Sequence, residues 1–131
     1  MSERPISQVI IRKYEPPTKD FDSNLKRFML SLGLIRVGDK NPPIFQIFKE
    51  IVVSKHPVSV KKLGQQTKLS NSAVRYHIQK LKFLRLVDGR GSYSLSEQGD
   101  LLTSFKIFRR FVLEEILERI EEYAARLNDR P

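Results

Sequence analysis

Side chains with binding chemistry concentrate in one short segment, where Asn71, Ser72, Arg75, Tyr76, Gln79, Lys80 and Lys82 share a face. The spacing predicts a helix over 71–84 whose opposite face carries Val74, Ile78 and Leu81 at i, i+4 and i+7, turned toward a core. Amides and hydroxyls mixed with fixed cations are the composition of a helix that reads a nucleic-acid groove. Charge points the same way. From Ile51 to Ser96 stand Lys55, Lys61, Lys62, Lys68, Arg75, Lys80, Lys82, Arg85 and Arg90, nine bases against the single acid Asp88. The remaining 15 bases and 14 acids nearly cancel, so almost all of the +9 net charge belongs to that segment. Such localisation implies a polyanionic partner, with nucleic acid the first candidate.

Other chemistry is poorly supplied. The absence of cysteine excludes disulfides, thiolate metal sites and cysteine catalysis, and the two histidines, His56 and His77, are far apart in sequence. The acids Glu114, Glu115, Glu118, Glu121 and Glu122 alternate with Arg119, as on a solvated or salt-bridged helix face rather than a metal site. With no glycine-rich phosphate loop or nucleophile motif, neither an enzyme nor a bound cofactor or metal is expected. No apolar run approaches the roughly 18–20 residues that span a bilayer, and MSERPISQ lacks a signal-peptide core, so a cytoplasmic protein without a membrane partner is expected.

The elements that position the polar face can be read on both sides of it. Ser59 is placed to cap a short helix ending near Gln66, with Leu63 inward. Lys68-Leu69-Ser70 makes a turn, and Ser70 or Asn71 caps the helix over 71–84. Leu86-Val87 and Ser92–Leu95 flank the turn Asp88-Gly89-Arg90-Gly91, giving a small hairpin, or wing, over 86–95. Upstream, Asn41-Pro42-Pro43 is a capped start for a scaffold helix over 44–54 that buries Ile44, Phe45, Ile47, Phe48, Ile51 and Val52. Before it, Asp20 or Asp22 caps an amphipathic helix with Leu25, Phe28, Met29 and Leu32, ended by Gly33. Val9-Ile10-Ile11, between Pro5 and Pro16-Pro17, forms an edge strand or an extended arm.

Downstream, Ser96 caps a last helix, with Glu97 in its first turn, that runs to about Leu127 and is about 45 Å long. Its apolar positions are Leu101, Phe105, Phe108 and Val112, then Leu113, Ile116, Ile120, Tyr123 and Leu127. The second set follows the 3-4-3-4 spacing of a coiled-coil seam. A second copy of the chain is the expected cover, making these residues a homodimer interface. The alternative is packing onto the N-terminal helix and Val9-Ile10-Ile11 within one chain. The expected organisation is mainly α with a small β-hairpin: an arm and helix over 1–40, a winged helix-turn-helix over 41–96 and a dimerisation helix over 97–131.

The stretch from Val58 to Gly99 resembles the winged helix-turn-helix transcription regulators of the broad ArsR/MarR-like superfamily, especially its archaeal members. The matching pieces are VSVKKLGQQTKLS, NSAVRYHIQKLKFLRLV and GRGSYSLSEQG. Arg85 departs from the pattern, standing where these proteins often have a glycine in a left-handed turn. The resemblance implies that the helix over 71–84 enters a DNA major groove, with Arg75 and Gln79 on base edges and Asn71 and Ser72 on phosphates or bases. Lys61, Lys62, Lys68, Lys80 and Lys82 would neutralise phosphates, and Arg90 at the wing tip would reach the backbone or the minor groove. Tyr76 packs along a sugar-phosphate backbone or against the second helix, and His77, beside the core face, reads as structural. The implied function is a homodimeric DNA-binding transcription regulator. A second reading, from the arm with Arg4, Arg12 and Lys13 and from the Phe/Ile-rich N-terminal helices, is an RNA- or ribosome-binding factor. Such a factor would join or silence ribosomal subunits or regulate translation, using phosphates and shape rather than base edges.

Overall fold

A computed structural model describes residues 3–131. The chain is mainly helical with a small three-stranded antiparallel sheet. Its elements are α1 (Phe21–Ser31), α2 (Pro43–Val53), β1 (Val58–Ser59), α3 (Val60–Thr67), α4 (Asn71–Phe83), β2 (Val87–Arg90) and β3 (Ser92–Leu95), then α5 (Leu101–Phe108) and α6 (Glu114–Leu127). The sheet order is β1-β3-β2, so the hairpin's second strand is central.

Local signals start the helices. The Asp20 carboxylate accepts the Ser23 N–H at 2.8 Å to open α1, and Pro43 sits in the first turn of α2, where its missing N–H leaves no bond unmade. Asn41 does not cap α2; it is left-handed at φ 47°, and the first turn closes instead from the Phe45 N–H to the Pro42 carbonyl at 3.0 Å. Gly33 ends α1 at φ 70°, and Ile10 of the extended N-terminal arm sits so close that a Cβ on Gly33 would meet its Cβ at 2.8 Å. The arm forms no strand. One backbone bond, from the Arg12 N–H to the Ser31 carbonyl at 2.9 Å, holds it to the end of α1.

A single core joins the three expected segments: Leu25 and Met29 of α1, Ile47, Phe48 and Ile51 of α2, Leu63 of α3, Val74, Ile78 and Leu81 of α4, the hairpin's Val87, Tyr93 and Leu95, and Phe108 of α5. Phe45 and Val52 are only partly buried against it.

The last helix differs from its expected form at both its start and its middle. Ser96 is buried and caps nothing; its N–H donates to the Leu86 carbonyl and the Ser104 hydroxyl, each at 3.1 Å, and its own hydroxyl donates to the Arg85 carbonyl. Glu97 and Gln98 turn left-handed at φ 56° and 55°, and Asp100, accepting the Thr103 N–H at 2.8 Å, starts α5. Arg109–Leu113 then form a π-helical turn that passes directly into α6. The helical run from Leu101 to Leu127 is thus 8, 5 and 14 residues of successive geometry, about 40 Å long.

The π turn has a sequence cause. The series 101-105-108-112 and the series 113-116-120-123-127 abut one residue out of step. In an uninterrupted α-helix their mean directions would diverge by about 70°. A π turn absorbs about one surplus residue and returns the second series to the side of the first.

The expected dimer interface divides at this turn. Phe108 is fully buried in its own chain, and Leu101, Phe105, Val112 and Leu113 are partly buried against the same core. An aromatic chain links α5 to α1 and α2: Phe105 lies 5.8 Å from Phe108 and 6.1 Å from Phe28, which stacks on Phe48 at 6.1 Å. Phe108 is therefore core rather than interface, because α5 folds back on the N-terminal helices. Ile116 is half-buried, while Leu117, Ile120, Tyr123 and Leu127 are 48%, 56%, 62% and 79% exposed. Among the described residues no helix is long and apolar enough to cross a membrane.

Candidate nucleic-acid interface

The two helices that carry the polar residues are set by serine caps and one close approach. Ser59 accepts the Lys62 N–H at 3.1 Å, which fixes Lys61 and Lys62 in the exposed first turn of α3. Lys68 leaves α3 in the left-handed region at φ 60°, and its N–H and the Leu69 N–H both return to the Gly64 carbonyl. A Cβ on Gly64 would stand 2.9 Å from the Leu69 carbonyl oxygen, so a glycine permits the tight passage to α4. Ser70 then accepts the Ala73 N–H at 3.1 Å, and α4 begins with Asn71 and Ser72 exposed.

Val74, Ile78 and Leu81 are fully buried and hold α4 on the body, which turns Arg75, Tyr76, Gln79 and Lys80 to solvent. Tyr76 is 61% exposed, so it lies on the polar face and is not packed against α3. The Lys80 ammonium sits 4.6 Å from the centre of its ring, a cation–π contact. Lys82 differs from the other expected contacts. It is half-buried, with its ammonium 3.4 Å from the Gly89 carbonyl and 5.7 Å from the Tyr93 ring, so it ties α4 to the hairpin.

The hairpin turns more sharply than Asp88-Gly89-Arg90-Gly91 suggested. Asp88, Gly89 and Arg90 belong to β2, paired with Ser94, Tyr93 and Ser92, so only Gly91, at φ 68°, lies between the strands. Gly89, at φ 132°, faces the Ser92 carbonyl so closely that a Cβ has no room. Arg90 is exposed at the tip.

Few carboxylates approach this surface. Ion pairs join Glu15 with Arg27, Asp22 with Lys49 and Arg119 with Glu122, all outside 51–96. The hairpin's own acid, Asp88, is engaged by the Glu97 N–H at 3.0 Å. None of these three ion pairs involves a base of α3, α4 or the hairpin, and of those bases Lys82 is the one tied to the hairpin backbone. His77 lies half-buried behind the face with its Nδ1 unpartnered, and burial, aided by the Lys80 charge, lowers its pKa.

The N-terminal arm adds a wall that the sequence did not reveal. Gln8, Val9 and Ile10 line a groove of about 470 Å³ together with Tyr76, Gln79, Lys80 and Phe83. The arm therefore flanks the C-terminal half of α4 and leaves Asn71, Ser72 and Arg75 open. Two aromatic residues also escaped the sequence reading: Phe83, out of step with 74-78-81, and Phe111, out of step with 101-105-108-112. That phase error is the signal that would have found them. Comparison of the chain with protein-family models, with curated proteins and with solved structures returned no match.

Proposed function

We propose that the chain is a homodimeric winged-helix protein that binds double-stranded DNA and regulates transcription. In this reading α3, the Lys68 turn and α4 are the helix-turn-helix and the β2–β3 hairpin is the wing. The observation that carries it is the exposed face of α4, where Asn71, Ser72, Arg75, Gln79 and Lys80 stand in solvent beside bases that no carboxylate neutralises among the described residues. The open N-terminal half of α4 enters the major groove, with Arg75 matched to guanine and Gln79 to adenine edges. Lys61, Lys62, Lys68 and Lys80 neutralise phosphates. Arg90 on the hairpin tip meets the backbone or the minor groove.

The exposed stripe of Leu117, Ile120, Tyr123 and Leu127, begun at Ile116, is covered by the same stripe of a second copy. A two-fold axis through that contact sets two α4 helices on half-sites about one helical turn, roughly 34–36 Å, apart.

A second reading, RNA including the ribosome, is favoured by Tyr76, an exposed ring on the basic face with a lysine over it. Such a ring stacks on an unpaired base. One experiment separates the two: recover the protein from its own cells in low salt, sequence the nucleic acid bound to it and follow it through a sucrose gradient. Genomic footprints with two-fold symmetry are expected. Co-migration with ribosomal subunits and no footprint would establish the RNA reading instead.

A further inference from the structure

Beyond the face just described, the C-terminal end of α4 opens on an aromatic cleft. Phe83, which ends α4, is 56% exposed, and Phe111, in the π turn, is 48% exposed. Both line one cavity of about 370 Å³ with Lys82, Arg85 and Glu115, a size that suits a small ligand group. Neither ring contacts another aromatic ring among the described residues. The cavity therefore presents the half-exposed faces of two phenylalanine rings.

Cations frame the cleft. The Arg85 guanidinium lies 5.7 Å and the Arg110 guanidinium 5.6 Å from the centre of the Phe111 ring. Lys82 joins the cleft to the hairpin through its contact with Gly89. Irregular backbone presents both halves. Arg85 keeps φ at 58°, a left-handed conformation disfavoured for a residue with a Cβ. The π turn carries Phe111 out of step with the stripe that packs on the core and beside Arg85.

We propose that this cleft binds an unpaired nucleobase, with Phe83 and Phe111 as stacking surfaces and Arg85 and Arg110 on the adjoining phosphates. Aromatic walls beside the Arg85 and Arg110 guanidinium groups, with the single carboxylate Glu115, call for a planar ring on an anionic backbone, and a nucleotide has both. The inference rests on the reading that α4 and the hairpin bind nucleic acid. It adds that the target carries a bulged or single-stranded nucleotide beside the duplex those elements hold.

The test uses the full chain and fluorescence anisotropy with three probes: a perfect duplex, the same duplex with a one-nucleotide bulge, and the single strand, each made as DNA and as RNA. The wild type is expected to prefer the bulged duplex. Phe83→Ala with Phe111→Ala should lower affinity for bulged and single-stranded probes by about 5- to 150-fold per stacked base. Perfect-duplex affinity should stay within about twofold, and Phe111→Trp should restore binding. The DNA and RNA series identify which strand supplies the base. Unchanged bulge and single-strand binding in the double variant overturns the cleft while leaving the duplex reading intact. A change of oligomeric state with binding unaltered overturns it in favour of a contact between copies. Failure of the wild type to bind any probe overturns both readings together.

Discussion

Arg75 and Gln79 stand one turn apart on the exposed side of α4, and in the proposed function they are the residues that distinguish bases. Alanine at either is expected to cost about 1–3 kcal/mol with the preferred duplex and to relax the sequence preference at one position. Lys61→Ala or Lys68→Ala should weaken all duplexes alike and reduce the slope of log K against log salt by about one. Anisotropy titrations over a salt series measure both. His77 gives a pH signature of opposite origin, because it comes from the buried side of the same helix. Its folded pKa lies below the ordinary 6.5, chiefly through burial. The unfolded chain therefore takes up the proton first, and stability falls as pH drops below about 6.5 toward the folded pKa. Urea melts across that window should show this slope in the wild type and a weaker one in His77→Leu. The exposed face itself was legible in sequence: helical spacing fixes which side chains share it, so Arg75 and Gln79 were placed there. Lys82 was read as one more free cation, since nothing local says that it reaches the Gly89 carbonyl.

At the scale of elements, the passage from α3 to α4 depends on Gly64. Gly64→Ala drives a Cβ against the Leu69 carbonyl and is expected to destabilise the chain by about 1–3 kcal/mol in denaturant melts. The π turn gives a less intuitive expectation. Because it absorbs one surplus residue, deletion of exposed Arg109 should yield an unbroken α-helix with both apolar series still in phase. Stability should stay within about 1 kcal/mol of wild type by thermal circular dichroism, whereas inserting an alanine there should cost more. The serine caps at 59 and 70 were readable because a cap is a bond between neighbours. The start of α5 was not. Ser96 and Asp100 are equally good capping residues by type, and what decided between them was the tie of Ser96 to Arg85 and Leu86, which are remote in sequence.

At the scale of the molecule, the exposed stripe of α6 and the basic face of α4 depend on each other if two half-sites are read at once. Ile116→Glu with Ile120→Glu should give a monomer by sedimentation with its helical signal kept, since the core ends before α6. Loss of the tether between two sites should lower affinity for a two-fold operator by about 10²- to 10⁴-fold, with a single half-site barely affected. A folded double variant that keeps the native mass would show that the α6 stripe is not a dimer interface.

By itself the sequence determined what depends on near neighbours and on summed charge: the helix-turn-helix-hairpin order after Val58, the serine caps at 59 and 70, the apolar face of α4 and a positive field confined to one segment. Tertiary structure alone decided what depends on where distant segments meet. It placed Phe108 in the core, laid the arm beside Gln79 and Lys80, and brought Phe83, Arg85 and Phe111 to one cleft. The physical reason is that spacing along a helix says which side chains share a face. What covers that face is settled only when the whole chain competes to remove apolar surface from water.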